Sequence, residues 1–245
     1  MLQRDINTIN NWVKNNSLTF NVSKCKCMLI SRKRQGCCDP PDLLLDDLIL
    51  EWVECFKYLG VILTSDLSWS SHVESICTKS RKLLGLLYRR FYKHAEPSAL
   101  LQLYHSLVRP HLEYASDVWD PHLQRDIQLI ENVQKFGLRI CSKQWDLGYD
   151  ELLSNFSVPN LQSRRLHHKL CTMFKIVHNL ISFPPSVFVP RPSRCRSNVY
   201  FQPFARTNCF LHSFVPSTIS SWNSLPTNVT NALTLPAFKA LYTCT

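Results

Sequence analysis

Glycine is scarce in this chain, with 5 glycines among 245 residues at widely separated positions. They form neither the G-x-G-x-x-G motif of dinucleotide-binding folds nor the G-x-x-x-x-G-K loop of phosphate-binding ATPases. The sequence also shows no Ser-His-Asp or Cys-His arrangement of the kind that hydrolases use. We therefore expect no small-molecule substrate or nucleotide cofactor site, and no residue of this chain is predicted to be catalytic.

Long apolar runs are also missing. No window approaches about 18 apolar residues, so the sequence predicts no transmembrane helix. The first residues, Met1–Asp5, lack the apolar core of a secretory signal. The protein is therefore predicted to be cytoplasmic or nuclear and not secreted.

The chain has 11 cysteines, an odd number that does not suggest a disulfide framework. The densest group fits no common zinc-binding spacing; it consists of Cys25, Cys27, Cys37 and Cys38. We predict buried structural thiols for all eleven and no metal site.

Acidic residues are absent from the last quarter of the chain. The net charge is +10, and residues 183–245 carry five basic and no acidic side chains. Such a protein is attracted to polyanions, of which nucleic acid is the commonest, although a soluble surface with a positive bias explains the charge equally well. Aromatic residues alternate with the arginines of this tail, a pattern that suits single-stranded nucleic acid. We favour the alternative that these rings pack on the rest of the protein; the residues are Arg191, Arg194, Arg196, Arg206, Tyr200, Phe201 and Phe204.

Residues 1–65 are predicted to be mixed helix and strand. The first segment, residues 2–16, has apolar residues at helical spacing. Short apolar runs with β-branched and aromatic residues follow it and predict strands. These are Leu18–Val22, Cys27–Ser31, the pair Leu43–Leu45 and Leu48–Leu50 around Asp46-Asp47, and a single strand over Phe56–Leu63.

Residues 66–182 are predicted to be a helical bundle. Apolar residues at helical spacing mark four helices, the second beginning at Pro97 and the fourth capped by Asn160. They cover Val73–Phe91, Pro97–Leu112 with a kink at Pro110 and an end at Asp120-Pro121, Leu123–Ile140, and 161–181. Residues 183–245 form a Pro/Arg-rich C-terminal extension with short helices near Ser217–Trp222 and Pro236–Tyr242. The predicted fold class is therefore α+β, with divisions at 1–65, 66–182 and 183–245.

Four segments resemble, in order, the reverse transcriptases of non-LTR (LINE-type) retrotransposons of the jockey and CR1-like groups. Trp12–Lys26 resembles the helix and strands that follow the catalytic hairpin of that family, and Phe56–Val61 resembles its F-K-Y-L-G strand. Leu103–Trp119 is similar to its thumb helix, and Trp222–Pro226 with Phe238-Lys239 is similar to its C-terminal segment.

This resemblance implies RNA-directed DNA synthesis, in which palm carboxylates hold two divalent metal ions. In the family the catalytic Asp pair precedes the segment that matches Trp12–Lys26. The resemblance therefore implies a palm remnant and a thumb-like bundle that lack the catalytic Asp pair. It also implies that this chain is inactive alone and has no cofactor of its own. It also implies an RNA or RNA–DNA duplex as partner. The alternatives are a polymerase subunit that another chain complements and a non-enzymatic helical interaction module.

The resemblance also implies two sites. Tyr58, Leu59 and Gly60 match a hairpin that supports the primer end in that family, with Gly60 permitting close approach of the backbone. An ordinary buried strand with a bulge at Gly60 is the alternative. A basic run on the first bundle helix would contact phosphates of a template–primer duplex, the alternative being a solvated helix surface. On a helix these side chains are expected to spread around the apolar stripe; they are Lys79, Arg81, Lys82, Arg89, Arg90 and Lys93.

One further acidic pair, Asp46-Asp47, stands between apolar pairs and resembles a catalytic Asp-Asp turn in isolation. It follows the match to the catalytic-hairpin region instead of forming part of it. Because Asp is a good turn residue, we predict a surface hairpin turn and not a pair of metal ligands.

Overall fold

A computed structural model describes residues 1–31, 41–184, 186–192 and 198–243. The chain forms two compact units, Met1–His72 and Val73–Thr245. The first unit combines a helix with small sheets, and the second is helical, so the predicted α+β class is confirmed. The three functional divisions at 1–65, 66–182 and 183–245 stay a prediction.

Within its described residues, 1–31 and 41–72, the first unit contains the helix α1, a 3₁₀ turn at Val22–Lys24 and six short strands. Strands β1 and β4 pair in parallel, whereas β2 with β3 and β5 with β6 form antiparallel hairpins. The elements are α1 Leu2–Asn15, β1 Lys26–Cys27, β2 Leu44–Leu45, β3 Leu48–Ile49, β4 Glu51–Trp52, β5 Cys55–Tyr58 and β6 Val61–Thr64. The predicted helix and the predicted strand pair around Asp46-Asp47 are confirmed.

Two strand predictions in this unit are wrong. One strand was predicted to begin at Leu18. Instead, the Leu18 amide donates to the carbonyl of Val13 at 3.0 Å, and Ser17 has a φ of 55°. These are the marks of a Schellman cap, which ends α1 and uses the donor a strand would need. The predicted strand at Cys27–Ser31 is reduced to Lys26–Cys27.

The prediction of one continuous strand over Phe56–Leu63 is wrong, whereas the hairpin that the family resemblance implies is present as β5–β6. Tyr58 pairs with Val61, which leaves a two-residue loop of Leu59 and Gly60. Both loop residues have positive φ, 45° and 90°, as a type I′ hairpin turn requires.

The core of the first unit is small. Its buried members are Leu43, Leu45 and Leu50, against which Ile6 and Phe20 pack. Many large apolar side chains of this unit are instead exposed. They are Leu2, Ile9, Trp12, Leu18, Leu29, Ile30, Leu44, Leu48, Ile49, Tyr58 and Leu59.

The second unit is built from helices, the first of which begins within the preceding unit. The predicted helices at Val73–Phe91, Leu123–Ile140 and after Asn160 are confirmed, and Asn160 accepts a hydrogen bond from the Ser163 amide at 2.7 Å. The helices are α2 Ser70–Phe91, α3 Pro97–Leu103, α4 Arg109–Glu113, α5 Ser116–Trp119, α6 Gln124–Ser142, α7 Tyr149–Asn155, α8 Leu161–Val177, α9 Asn208–Leu211, α10 Phe214–Ser224, α11 Thr227–Thr230 and α12 Leu235–Thr243.

A π-helical turn, Tyr104–Val108, joins α3 to α4 immediately before Pro110. Such turns occur where an α-helix carries an irregularity, and proline supplies one because it lacks an amide donor. The helical run ends at Tyr114, where ψ is 125°, and not at Asp120-Pro121 as predicted. Ala115, with a φ of 52°, separates it from α5.

Two groups of buried residues hold this unit together. Near α3 and α6, the Tyr104 hydroxyl donates to Gln134 at 2.9 Å, and Gln134 donates to the Tyr149 hydroxyl at 3.0 Å. Near the C-terminus, Trp222 stacks on Phe238 with ring centroids 5.7 Å apart. The second group joins α8, α10 and α12, so the predicted short C-terminal helices are confirmed and packed.

Candidate nucleic-acid interface

Helix α2 presents the predicted basic run on its outer surface. Its apolar side is buried, with Val73, Cys77, Leu84 and Leu87 each at most 3% exposed. This apolar stripe orients the helix, so the remaining positions face solvent. All six predicted basic residues are exposed: Lys79, Arg81, Lys82, Arg89, Arg90 and Lys93.

The six basic side chains are distributed over part of the helix circumference. At about 100° per residue, four of them fall within a sector of roughly 100°. We call these four the basic stripe: Lys79, Lys82, Arg89 and Arg90. Arg81 projects from another side of the helix, and Lys93 follows the end of α2. The run as a whole thus spreads over about half of the helix circumference, outside the apolar stripe.

The charge of the basic stripe is not balanced by nearby acids. In the described part of the chain, none of its four side chains forms an ion pair with a carboxylate. The acidic residue of α2, Glu74, is paired with Arg125 at 2.8 Å. The pKa of His111 is lowered by burial and, secondarily, by the charge of Lys79. A positive potential therefore persists along this side of the helix.

Four aromatic rings lie beside the C-terminal end of α2, and the sequence pattern did not indicate them as a site. The Trp145 ring lies 6.1 Å from Tyr88, 6.4 Å from Tyr92 and 6.0 Å from Phe136, measured between centroids. The Trp145 indole donates to the Tyr92 hydroxyl at 3.1 Å. We call these four residues the ring cluster. The available sequence signal was the helical spacing of Tyr88 and Tyr92 around Arg89 and Arg90.

The predicted primer-grip-like residues lie at the tip of the β5–β6 hairpin. Tyr58 is 58% exposed and Leu59 is 73% exposed, although both are large and apolar. Gly60 adopts a φ of 90°, which residues with a side chain rarely adopt. The alternative of a continuous strand with a bulge at Gly60 is wrong.

Comparison with known proteins shows similarity to two polymerases of transposable elements. The chain is similar to the probable RNA-directed DNA polymerase from transposon X-element of Drosophila melanogaster, with 28% identity over 171 residues. It is also similar to the RNA-directed DNA polymerase from mobile element jockey of the same organism, with 23% identity over 165 residues. Both matches cover 65% of this chain. The chain is a homologue of non-LTR retrotransposon reverse transcriptases.

The chain spans a minor part of these reverse transcriptases, 18% of the length of each. An uncharacterised protein of Caenorhabditis elegans is 25% identical over 131 residues, which are 51% of this chain and 62% of that protein. No protein-family profile and no solved structure matches the chain. The resemblance that the four sequence segments indicated is thus confirmed at the level of the reverse transcriptase family.

Asp46 and Asp47 form the two-residue loop of the β2–β3 hairpin, as predicted. Their φ angles are 50° and 61°, and Leu45 pairs with Leu48 across the loop. The Asp46 carboxylate lies 2.6 Å from the Lys14 ammonium and accepts a hydrogen bond from Asn10 at 2.9 Å. These contacts, with that of Lys14 foremost, lower the pKa of the Asp46 carboxyl. The turn thus ties the hairpin to α1.

The prediction of eleven buried thiols is wrong for part of the chain. Cys77, Cys141 and Cys171 are buried, but Cys55 is exposed and Cys25, Cys27 and Cys209 are partly exposed. Burial raises the pKa of Cys77 to about 11 and that of Cys141 to about 12. Cys37 and Cys38 lie outside the described residues, within which no three His, Cys, Asp or Glu side chains are grouped as metal ligands.

The tail divides between packed and exposed rings. Tyr200 contacts Phe188 edge-on at 6.2 Å and, partly buried, packs against the buried C-terminal group, as we favoured. Phe201 and Phe204 are 52% and 84% exposed, so packing is the wrong prediction for them. Arg191 and Arg206 are exposed, and Arg194 and Arg196 lie outside the described residues.

No helix within the described residues is long and apolar enough to cross a bilayer.

Proposed function

We propose that this chain is the nucleic-acid-holding part of a non-LTR retrotransposon RNA-directed DNA polymerase, and that α2 contacts the phosphates of an RNA–DNA template–primer duplex. The observation that carries the proposal is the basic stripe, Lys79, Lys82, Arg89 and Arg90. Its side chains are exposed and share one side of a helix. Homology to the two Drosophila polymerases supports the same function.

The dimensions of the basic stripe suit a phosphate backbone. From position 79 to position 90 a helix rises about 16 Å, at 1.5 Å per residue. Phosphate contacts fix the register of a protein on a duplex without reading its sequence. Lys and Arg on a single helical surface are suited to such contacts, and neutralising each phosphate releases condensed counterions. Binding through this surface is therefore expected to be tolerant of sequence and sensitive to salt.

The tip of the β5–β6 hairpin is the second part of the proposal. Leu59 is exposed and has a positive φ, which is unfavourable for leucine. A turn with no role beyond reversing the chain would favour Asn or Asp at this position. Tyr58 and Leu59 are suited to apolar contact with a sugar or base, and Gly60 permits close approach of the backbone. We propose that this tip supports the primer end, as the corresponding family strand does.

The test is fluorescence anisotropy with a labelled RNA–DNA duplex over a series of salt concentrations. A variant with Lys82→Ala, Arg89→Ala and Arg90→Ala removes three charges from the basic stripe. A matched control with Arg4→Ala, Lys24→Ala and Arg206→Ala removes three exposed charges elsewhere. If each stripe residue neutralises one phosphate, the log–log salt slope becomes shallower by about 0.7 to 0.9 for each one removed.

The control separates a local contact from the effect of net charge. If binding depended only on the general attraction of a +10 protein for a polyanion, both triple variants would lose affinity equally. The proposal requires the stripe variant to lose affinity and slope while the control keeps the slope of the unmodified protein. Equal slopes in all three proteins would contradict it.

A further inference from the structure

The ring cluster exposes more aromatic surface than packing of the helices requires. Tyr88 is 43% exposed, Phe136 is 40% exposed and Trp145 is 41% exposed. Tyr88 lies on α2, Phe136 lies on α6, and Trp145 follows the end of α6. Three separate segments thus bring rings to one patch of the surface of the second unit.

These rings are held in place by contacts with one another. Tyr88 and Tyr92 have centroids 4.6 Å apart, and Tyr88 meets Trp145 edge-on at 81°. The hydrogen bond from the Trp145 indole to the Tyr92 hydroxyl fixes two of the rings relative to each other. A preorganised ring surface binds a flat partner at a smaller entropic cost than mobile side chains do.

Basic side chains lie beside the rings. The Lys143 ammonium lies 6.0 Å from the centroid of Tyr92. A guanidinium nitrogen of Arg89 lies 3.4 Å from the position that a Cβ on Gly85 would take, so this side chain extends over the glycine. Helical spacing places Arg81, Gly85 and Tyr88 along one side of α2. The rings therefore adjoin cations that could pair with phosphates.

We infer that the ring cluster is a stacking platform for unpaired bases of a single-stranded nucleic acid. This inference rests on the proposed function, since it assigns a second nucleic-acid contact to the same helix. Exposed rings with adjacent Lys and Arg are the combination that binds single strands, because bases stack on the rings while phosphates pair with the cations. A fully paired duplex offers few free base faces, so it binds through the basic stripe instead.

The experiment compares two labelled probes, a short oligo(U) single strand and a blunt RNA–DNA duplex. Tyr88→Leu with Trp145→Leu removes the ring faces but keeps apolar side chains of moderate size. Stacking on each ring contributes a factor of roughly 5 to 100 in affinity by substitution. The double variant should therefore bind oligo(U) at least tenfold more weakly, with duplex affinity and salt slope unchanged.

Two controls keep the outcome interpretable. Tyr88→Phe with Trp145→Phe retains rings at both positions and should retain most of the affinity for oligo(U). Phe204→Leu removes a highly exposed ring of the tail and should leave oligo(U) binding unchanged. Thermal unfolding by circular dichroism establishes that each variant is folded.

The outcomes distinguish this inference from the proposed function. Normal oligo(U) binding by the Leu double variant overturns the platform but leaves duplex binding by the basic stripe in place. An equal loss for both probes also overturns it, because that result indicates a general defect. Binding of neither probe by the unmodified protein overturns both proposals. Self-association that disappears in the Leu double variant, with oligo(U) affinity unaffected, would assign the rings to a second copy of the chain.

Discussion

The ring of Tyr104 lies against the Cα of Gly137, so closely that a Cβ added to the glycine would be 2.9 Å from two ring carbons. Tyr104 cannot easily retreat, because it is 0% exposed and its hydroxyl donates to Gln134 at 2.9 Å. Gly137→Ala should therefore destabilise the protein despite a gain of about 1 kcal/mol in helix propensity. Overpacking of this kind costs about 1–3 kcal/mol, which urea unfolding would measure.

Gly85 provides the matched control, because it is a glycine within α2 with open space around it. A Cβ there would meet only a guanidinium nitrogen of Arg89 at 3.4 Å, at the end of a flexible side chain. Gly85→Ala should thus stabilise the protein by roughly 0.5–1 kcal/mol. If both substitutions changed stability in the same direction, the close contact of Tyr104 with Gly137 would not be the determining factor.

Asp120 stabilises two buried cations. Its carboxylate lies 2.7 Å from the Arg165 guanidinium and 2.8 Å from the Lys169 ammonium, and the Arg165 side chain is 0% exposed. Asp120→Asn should destabilise the protein by about 3 kcal/mol or more, because it leaves buried charge uncompensated.

The exposed pair between Glu74 and Arg125 serves as the comparison for Asp120. These two side chains are 54% and 72% exposed, and a surface ion pair contributes about 0–1 kcal/mol. Chemical unfolding of Glu74→Gln should therefore differ little from that of the unmodified protein. Similar losses for Glu74→Gln and Asp120→Asn would indicate that Arg165 and Lys169 tolerate the loss of their partner.

His72 should make the first unit sensitive to acid. Burial, and secondarily the charge of Lys57, lowers the pKa of His72 from 6.5 to about 4. Below pH 6.5, His72 of the unfolded chain becomes protonated, whereas His72 of the folded chain stays neutral until about pH 4. The free energy of unfolding therefore falls as the pH falls through this window. The Ile62 amide donates to His72 Nδ1 at 3.2 Å, an acceptor position that an Asn side chain can supply.

The measurement for His72 is the free energy of unfolding between pH 7 and pH 4.5 in the unmodified protein and in His72→Asn. The substituted chain should lose less stability over this range, because Asn does not titrate. An identical pH profile in both proteins would assign the acid sensitivity to other groups.

The tip of the β5–β6 hairpin should show a conflict between stability and binding. Asn is preferred over Leu at the first position of a type I′ turn, so Leu59→Asn should stabilise the protein by roughly 0.5–1 kcal/mol. Gly60→Ala should destabilise it by about 1 kcal/mol or more, since Gly60 has a φ of 90°. Thermal unfolding of the two variants provides the measurement.

Leu59→Asn also tests the proposed role of the hairpin tip. If Leu59 contacts the primer end, this variant should bind a duplex with a recessed 3′ end more weakly while binding a blunt duplex unchanged. Equal affinity of both proteins for the recessed duplex would count against the primer-end contact.

The sequence predicted the long helices well, because apolar residues at a period of 3.6 are a strong signal when sustained over several turns. It missed α7, Tyr149–Asn155, which is too short to show that period clearly. Its start depends on Glu151, which accepts a hydrogen bond from the Gly148 amide at 2.7 Å. The strands of two residues were predicted poorly. Their ends depend on neighbouring helix caps and turns more than on the alternation of apolar and polar residues.

The candidate site was predictable in composition but only partly in arrangement. The basic residues of α2 could be identified from the sequence, and simple helical counting places four of them together. The ring cluster could not be identified in this way, because Phe136 and Trp145 approach Tyr88 only through the packing of separate segments. The homology to reverse transcriptases likewise came from short ordered segments and not from composition.

The exposed apolar side chains of the first unit, Leu48 and Ile49 among them, have a consequence for handling the protein in solution. A net charge of +10 keeps molecules apart by long-range repulsion, which acts over about 10 Å at 0.1 M salt and over shorter distances as salt is added. Added salt therefore removes the colloidal protection of these apolar surfaces, and under the proposed function it also releases nucleic acid. Turbidity of the protein solution should rise over the same salt range in which nucleic acid dissociates. A bound polyanion should delay this rise if the complex keeps a large net charge, and promote it if the net charge is neutralised.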